Sequence, residues 1–240
     1  MLISHRKHFI YTKTVKTAGT SVEVYFERFC LPEGYQQLQH ARDEYVGPEG
    51  VVGYRGSNVA GHKWRNHMPA REIRQAVGDQ VWRSYFKFCV IRNPFDKLVS
   101  AFYFLEDRQR NSQTKTLTWK DQLKRLYKNP DPIACITGTD PVERFRSWIR
   151  AGGSIIDRNK YTIDGQICVD YFIRFEDLAA GVKHVCSELD IPFEPRKIPR
   201  LKTGIRRTEI PLRDYYDAAT IAIVKRIYKF ELETFGYSEP

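Results

Sequence analysis

The sequence of 240 residues contains few cysteines, and their arrangement lacks redox and metal motifs. The cysteines are odd in number, lie far apart and include no Cys-x-x-Cys pair: Cys30, Cys89, Cys135, Cys168 and Cys186. Disulfide frameworks and zinc sites need paired or regularly spaced cysteines. We therefore expect reduced thiols and no zinc site. Cys89 and Cys168 lie in apolar, strand-like runs, where packing is their expected role.

The sequence also lacks a long hydrophobic run. No apolar stretch approaches the roughly 20 residues that span a bilayer, and the N-terminal stretch MLISHRKHFIYT does not contain the apolar core of a signal peptide. Hydrophobic residues make up 42% and charged residues 28%, which argues for a folded globular protein and against wholesale disorder. We expect a cytoplasmic protein without a membrane span, unless an N-terminal anchor precedes this sequence.

Acidic residues are in the minority. The sequence has 39 Lys and Arg against 29 Asp and Glu, a net charge of +10 and a pI near 9.4, which favours an anionic substrate or partner. The densest basic cluster, PRKIPRLKTGIRR at residues 195–207, is typical of a solvated loop when it stands alone. Zinc-finger spacing, an RNA-recognition signature and a basic low-complexity tail are all lacking. We therefore expect no nucleic-acid partner.

Strand-like apolar runs alternate with helical runs along the chain. Strands are predicted at residues 8–13, 84–91 and 169–175, with one or two short pieces within residues 51–62. Helices are predicted at residues 20–30, 69–78, from Pro94 onward, at about 119–127, at 140–152, 178–189 and 215–235. This alternation predicts a parallel sheet with helices on both faces. We expect a single domain over residues 1–240, with a mostly helical insert at about 107–165.

The stretch VKTAGTS, residues 15–21, lies between the first predicted strand and the first predicted helix. Gly19 lets the backbone approach a ligand closely, and the unpaired N–H groups at a helix start favour an anion. Lys16 can add a point charge to the N–H groups of residues 17–21. The stretch therefore suits a phosphate or a sulfate. A helix start capped by Ser or Thr is the alternative that needs no ligand.

The order of residues in this loop differs from that of a magnesium-dependent nucleotide-binding loop. Such loops read Gly-x4-Gly-Lys-Ser/Thr, with the lysine directly before the hydroxyl residue that holds magnesium. Here Lys16 precedes Gly19 by three residues, and no second glycine lies between Val15 and Ser21. The loop can hold an anion without that magnesium ligand, so we expect no metal.

A second anion-binding unit is predicted in RNPFDKLVS, residues 92–100. Arg92 closes a predicted strand, and Ser100 lies in the helix that follows. A guanidinium and a hydroxyl suit a phosphate dianion, and ligands of parallel sheets bind at the carboxyl ends of the strands. Pairing of Arg92 with a core carboxylate is the alternative.

The two segments HFIYTKTVKTAGTSVEVYF and FKFCVIRNPFDKLVSAFYF resemble the cofactor signatures of sulfotransferases that use 3′-phosphoadenosine 5′-phosphosulfate. The closest resemblance is to the carbohydrate sulfotransferases, and YFIRFEDL and YYDAATIAIVKRIYKFELETFGY are similar to later segments of that family. Residues 31–60 and 107–165 are not covered. Val15 stands where the family often has proline, and Asn93 and Lys97 depart from its Arg-Asp-Pro-x-x-Arg pattern.

The resemblance implies an α/β, P-loop-like three-layer fold with a central parallel sheet flanked by helices. It also implies roles for single residues, in which Lys16 and the loop hold the 5′-phosphosulfate while Arg92 and Ser100 hold the 3′-phosphate. The loop residues are Thr17, Ala18, Gly19, Thr20 and Ser21. A looser match suggests that a basic segment closes over the nucleotide, with Lys202, Arg206 and Arg207.

The implied reaction moves a sulfuryl group to an acceptor hydroxyl, which we expect to belong to a carbohydrate, and releases adenosine 3′,5′-bisphosphate without a metal. Lys16 would stabilise charge on the departing phosphate. The acceptor proton needs a base, for which His62 is the candidate and His67 and Glu176 are rivals, while Asp177 is expected to cap a helix. A capping or surface role for His62 stays open.

Two other function classes remain as alternatives at this point. The first is a magnesium-dependent nucleotide kinase with an atypical phosphate loop, because the loop suits a phosphate. The second is a basic nucleic-acid-binding protein without catalytic activity, because of the net charge of +10. The sequence leaves the oligomeric state and the acceptor open.

Overall fold

The computed structural model of the protein describes residues 1–35, 41–56, 60–113, 136, 138–199, 201 and 210–240. The strands are β1 (Leu2–Ser4), β2 (Phe9–Tyr11), β3 (Tyr45–Gly47), β4 (Gly50–Val52), β5 (Phe86–Ile91), β6 (Thr162–Ile163), β7 (Gln166–Ile167) and β8 (Tyr171–Arg174). The α-helices are α1 (Gly19–Glu27), α2 (Ala70–Val77), α3 (Asp79–Ser84), α4 (Pro94–Gln113), α5 (Pro141–Arg150), α6 (Leu178–Glu188), α7 (Ala218–Ile227) and α8 (Lys229–Phe235).

The chain divides into two compact units. The first unit comprises residues 1–92 and 157–201, and the second comprises residues 93–156 and 202–240. The helix predicted at about residues 119–127 lies outside the described residues. Within the predicted helical insert, the structure shows the end of α4 and all of α5, whereas residues 157–165 belong to the first unit and include β6. The single-domain organisation stays a prediction.

The first unit is built on a mixed sheet of six strands in the order β3-β4-β1-β2-β5-β8. β2, β5 and β8 are parallel to one another, whereas β1 pairs antiparallel with β2 and β4, and β3 pairs antiparallel with β4. The prediction of a parallel sheet is therefore correct for β2, β5 and β8 and wrong for β1, β3 and β4. β1 and β3 were not predicted, and each is held by antiparallel pairing with a neighbouring strand.

Helices cover both faces of this sheet. Side chains alternate between the faces of a strand, and in β2 this sends Phe9 and Tyr11 to one cluster and Ile10 to another. On the first face α1 and α6 complete the cluster, and on the opposite face α2 and α3 do so. The first unit is thus an α/β arrangement of three layers, as predicted. The P-loop-like detail stays a prediction.

The predicted helix starts and ends agree with the structure at several capping residues. The Asp140 carboxylate accepts hydrogen bonds from the first turn of α5, and Pro141 is the first residue of that helix. Asp177 caps α6, as expected, by accepting from the Ala180 N–H group. Gly78 ends α2 with a φ of 82°, a value that is unfavourable for residues other than glycine.

The second unit has an aromatic core formed by residues of α4, α5 and the C-terminal segment. Its largest buried members include Phe95, Phe102, Phe145, Trp148 and Tyr215. The single helix predicted at residues 215–235 is wrong in one respect, because it is divided at Tyr228 into α7 and α8. Tyr228 has a φ of −103°, and its hydroxyl hydrogen-bonds to the backbone of Ile155 at 2.8 Å. The division thus falls at a residue whose side chain is anchored to another segment of the second unit.

Candidate active site

Residues 12–18 connect β2 to α1 at the carboxyl end of the parallel strands. The Thr12 N–H group donates to the Phe88 carbonyl at 3.0 Å, which continues the pairing of β2 and β5 up to the start of the loop. Lys16 and Ala18 then adopt left-handed backbone conformations with φ of 59° and 56°. Each such conformation costs roughly 1–2 kcal/mol for a residue other than glycine. Residues held this way at a strand end are typical of ligand-binding loops.

The loop has the geometry of an anion-binding concavity. A left-handed residue directly before right-handed ones turns successive N–H groups toward one side, and Ala18 precedes the helical residues of α1 in this way. The helical hydrogen bonds of α1 begin with the N–H groups of Ser21 and Val22, which both donate to the Ala18 carbonyl. The N–H groups of Gly19 and Thr20 precede them, at the end of the helix where partner carbonyls run out and the dipole is positive.

Side chains on both sides hold the loop in place. The Thr14 hydroxyl donates to the Val90 carbonyl of β5, and the Val15 N–H group donates to the Asp157 carboxylate at 2.6 Å. Arg92, directly after β5, donates to the Lys16 carbonyl at 2.9 Å. These contacts stabilise the backbone at the position where it is most strained.

Arg92 lies against the loop that contains Lys16. Its guanidinium stacks on the Phe175 ring, with the central carbon 3.9 Å from the ring centroid, and the contact to the Lys16 carbonyl joins it to the loop. The two predicted anion-binding units therefore meet through this arginine. Ser100 is half-buried on α4 in the second unit. Lys202, Arg206 and Arg207 lie outside the described residues, so the roles of these last four residues stay predictions.

A buried network of charges lies behind the loop, and sequence analysis missed it. Lys13 Nζ lies 2.6 Å from Glu23 Oε2, and Arg55 and Arg42 reach the same carboxylate at 2.9 Å and 3.1 Å. Burial lowers the pKa of Lys13 to about 8, against the opposing effect of Glu23. Burial alone would raise the pKa of Glu23, but Lys13 and the arginines hold it well below its ordinary value. A lysine and a glutamate within apolar runs are the signal in the sequence that points to such pairing.

His62 lies in the segment between β4 and α2. Its ring stacks on Tyr54 with the centroids 3.8 Å apart and the planes 8° from parallel. Nδ1 lies 3.6 Å from Glu44 Oε1, and the other oxygen of that carboxylate accepts from the Trp64 N–H group at 2.7 Å. The aromatic ring of Tyr54 and the Glu44 carboxylate thus face the imidazole. Glu44 was not predicted as a site residue.

His67, the first rival to His62, is held in a different environment. Its Nδ1 lies 3.1 Å from the Lys13 carbonyl, and since a carbonyl only accepts, Nδ1 carries the proton. Burial and the charge of Lys13 lower the pKa of His67 to about 3. Such a group is a weak base at neutral pH. Glu176, the second rival, is exposed in the short 3₁₀ turn Phe175–Asp177 that follows β8.

The environment of His67 predicts a pH dependence of stability. Its pKa is about 3 in the folded protein and 6.5 in its ordinary state, so between these values the unfolded chain binds a proton that the folded chain does not. The free energy of unfolding should therefore fall as the pH is lowered from 6.5 toward 3, by about 1.4 kcal/mol per pH unit from this residue. Urea unfolding at several pH values measures the slope.

His67→Asn is the matched control for this slope. Asparagine tolerates the left-handed backbone of residue 67, where φ is 55°, and it can still donate to the Lys13 carbonyl. The slope for the wild-type protein should exceed that for this variant by about 1.4 kcal/mol per pH unit, which corresponds to one proton. Equal slopes in the two proteins would contradict the buried, neutral state of His67.

Metal-binding side chains do not cluster in the part of the chain that the structure describes. There, no three His, Cys, Asp or Glu side chains form a group that could hold a metal ion. Within the same ranges, none of the helices combines the length and the apolar character that a membrane span needs. Four cysteines fall in these ranges, and all are free thiols: Cys30, Cys89, Cys168 and Cys186.

The comparison with known proteins settles the family. A family profile described as "Sulfotransferase family" matches residues 1–238. The chain belongs to the sulfotransferase family. The predicted family and enzyme class are therefore confirmed. The sulfotransferase is also 24% identical over 127 residues to an uncharacterised protein of Archaeoglobus fulgidus, a match that covers 53% of this chain and 86% of that protein. No solved structure matches it.

Proposed function

We propose that this sulfotransferase moves a sulfuryl group from 3′-phosphoadenosine 5′-phosphosulfate to a hydroxyl of a saccharide. The observation that carries the proposal is the loop between β2 and α1. Its left-handed residues Lys16 and Ala18 precede the N-terminus of α1 directly, and Arg92 fixes the Lys16 carbonyl. A strained concavity of N–H groups with an adjacent lysine suits a phosphosulfate.

The donor would supply an activated sulfuryl group, whose bond to the 5′-phosphate breaks as the acceptor oxygen bonds to sulfur. The chain contributes fixed positive charge where negative charge builds on the phosphate. Lys16 and the N–H groups at the start of α1 are the groups in that position. Because the loop is held before the reaction by Arg92, Asp157 and Thr14, little reorganisation is needed at the transition state.

His62 takes the proton of the acceptor hydroxyl in this proposal. With Nδ1 facing the Glu44 carboxylate, Nε2 is the nitrogen that can accept a proton. Glu44 then stabilises the imidazolium that forms, in the manner of a carboxylate beside a catalytic histidine. The low pKa of His67, about 3, supports His62 over this rival.

The saccharide acceptor is supported by the resemblance to carbohydrate sulfotransferases and by the charge of the chain. A net charge of +10 favours an acceptor that already carries carboxylates or sulfates. The acceptor surface is expected from residues 31–60 and 107–165, which the resemblance does not cover.

Arg92 is proposed to bind the 3′-phosphate, and this predicts a difference between two nucleotides. Arg92→Ala should weaken the binding of adenosine 3′,5′-bisphosphate by about 1.5–3 kcal/mol, the range for a hydrogen bond to a charged group. Binding of adenosine 5′-phosphate should weaken less, because this nucleotide lacks the 3′-phosphate. It is affected only indirectly, through the loss of the hydrogen bond from Arg92 to the Lys16 carbonyl of the loop. Titration calorimetry measures both.

Arg83→Ala is the control for this pair of titrations, because Arg83 is an exposed arginine of α3. It should leave both affinities unchanged. Equal losses for the two nucleotides in Arg92→Ala would remove Arg92 from the 3′-phosphate site and leave it as a support of the loop.

A thermal-shift experiment separates the proposal from its two alternatives. Adenosine 3′,5′-bisphosphate in EDTA should stabilise the protein, by about 2.7 kcal/mol at a ligand concentration of 100 times Kd. Stabilisation by ATP only when magnesium is added would favour a nucleotide kinase. Stabilisation by an oligonucleotide alone, with a steep loss at higher salt, would favour a nucleic-acid-binding protein.

A further inference from the structure

We propose that Lys13 is a positioning residue, which turns the hydroxyl proton of Thr20 toward the anion held at the start of α1. The inference rests on the proposed function, because that anion is the phosphosulfate of the donor. Lys13 lies between β2 and the loop, and its side chain is buried to 2% exposure. Neither the sequence pattern nor the family match assigns it a role.

The hydrogen bond between Lys13 and Thr20 has one direction. Lys13 Nζ lies 3.2 Å from Thr20 Oγ1. With a pKa of about 8 the amine is protonated at neutral pH, and an ammonium donates hydrogen bonds but accepts none. Thr20 is therefore the acceptor. Among the described residues no protein group takes the single proton of the Thr20 hydroxyl, which leaves that proton for an anion.

The hydroxyl of Thr17 shows the opposite arrangement. Thr14 uses its one proton to donate to the Val90 carbonyl. The 2.8 Å contact between the hydroxyls of Thr14 and Thr17 therefore has Thr17 as its donor. Thr17 directs its proton inward, to the sheet, and contributes only its backbone N–H group to the loop. Of these two loop hydroxyls, only that of Thr20 can donate to the donor substrate.

Lys13 itself has little freedom to move. Glu23 Oε2 lies 2.6 Å from Nζ, and Arg42 holds the other oxygen of that carboxylate at 3.1 Å. The loop lies directly on the lysine, since a Cβ atom at Gly19 would be only 3.1 Å from Lys13 Cγ. Gly19 thus permits the close approach that brings Thr20 to Nζ. The orientation of the Thr20 proton is set before any ligand binds, which is the condition for electrostatic preorganisation.

A double-mutant cycle tests the coupling of the two residues. Lys13→Met and Thr20→Val should each lower kcat for transfer from 3′-phosphoadenosine 5′-phosphosulfate by about tenfold to a hundredfold. The double variant should be no slower than the slower single variant, because both changes remove the same oriented donor. Arg55→Met is the matched control: it removes another buried cation from Glu23 Oε2 but not the contact to Thr20. Arg55→Met should lower the midpoint of thermal unfolding, while its kcat should stay within about threefold of the wild-type value.

Several outcomes would overturn the proposal. Wild-type kcat in Thr20→Val, wild-type kcat in Lys13→Met, or losses that multiply in the double variant would each contradict it. If Lys13→Met does not fold, Lys13→Gln replaces it in the cycle. Its amide N–H group can donate to Glu23 while its carbonyl accepts the Thr20 proton, which reverses the hydrogen bond. The same loss of kcat is expected, and retention of kcat would contradict the inference.

Failure of the proposed function gives a different result. In that case the wild-type protein neither transfers the sulfuryl group nor binds adenosine 3′,5′-bisphosphate. Inorganic sulfate then provides a readout that does not depend on the donor. Sulfate should raise the melting temperature of wild type and Arg55→Met, and less so that of Lys13→Met and Thr20→Val. Equal shifts in all four proteins would overturn the role of Lys13 at the loop, since they would reflect only the general effect of sulfate on burial.

Discussion

Replacing Lys16 with alanine should lower kcat for sulfuryl transfer by about a hundredfold to a thousandfold, the usual loss for one preorganised charge contact. Lys16 lies in the strained turn directly before α1, and its backbone is fixed through the carbonyl that Arg92 binds. The charge of its ammonium acts on the phosphate that departs, so the loss should be in kcat more than in KM. Single-turnover and steady-state assays with 3′-phosphoadenosine 5′-phosphosulfate measure it.

The stability of Lys16 variants separates chemistry from folding. Alanine pays the same left-handed strain as lysine at a φ of 59°, so Lys16→Ala should unfold near the wild-type midpoint. Lys16→Gly relieves this strain and should be at least as stable as Lys16→Ala, yet equally slow. Lys183→Ala, an exposed lysine of α6, controls for the loss of one charge. Near-normal turnover in Lys16→Ala or Lys16→Gly would remove the loop lysine from the mechanism.

His62→Ala should lower kcat by about a hundredfold to ten thousandfold, the range for loss of a general base. The affinity for adenosine 3′,5′-bisphosphate should stay unchanged, since no contact in the proposal joins His62 to the nucleotide. The pH dependence of kcat should also differ between the wild type and the variant, because the variant lacks the side chain that takes the acceptor proton. Parallel loss of nucleotide binding would indicate a structural histidine.

Two further variants test the environment of His62. Glu44→Gln keeps an oxygen for the Trp64 N–H group but removes the charge beside the imidazole, so kcat should fall by about tenfold, less than in His62→Ala. His67→Asn should retain most of the rate, because a group whose pKa is lowered to about 3 by burial is a weak base at neutral pH. A larger loss in His67→Asn than in His62→Ala would reverse the assignment.

The sequence predicted the parts of the fold that depend on local pattern. The parallel strands β2, β5 and β8, the helices after them and the caps Asp140 and Asp177 all follow from short-range signals. β1 was missed, and it is held in the sheet by pairing with β2 and with β4, which lies about 50 residues further along the chain. The break at Tyr228 was also missed, and it falls at a residue whose hydroxyl contacts Ile155, far away in the sequence.

The candidate site was predictable to a similar extent. Lys16 and Arg92 lie in motifs with a recognisable order, and the structure joins them through one hydrogen bond. Glu44 and the charges around Glu23 were not found, because these contacts join residues from separate segments. Arg42 and Arg55 reach Glu23 from a stretch that the resemblance does not cover. Lys13 and Glu23 within apolar runs indicate that buried charges are paired, but they do not show which residues of a distant segment complete the pairing.

The most direct test of the central claim is a transfer assay in EDTA with 3′-phosphoadenosine 5′-phosphosulfate and a panel of neutral and acidic saccharides. Chromatography quantifies the released adenosine 3′,5′-bisphosphate, and mass spectrometry quantifies the sulfated saccharide. The account predicts equal amounts of the two products with wild type, and at least about a hundredfold slower release with Lys16→Ala. Absence of sulfated product from every saccharide, together with no binding of adenosine 3′,5′-bisphosphate, would contradict it.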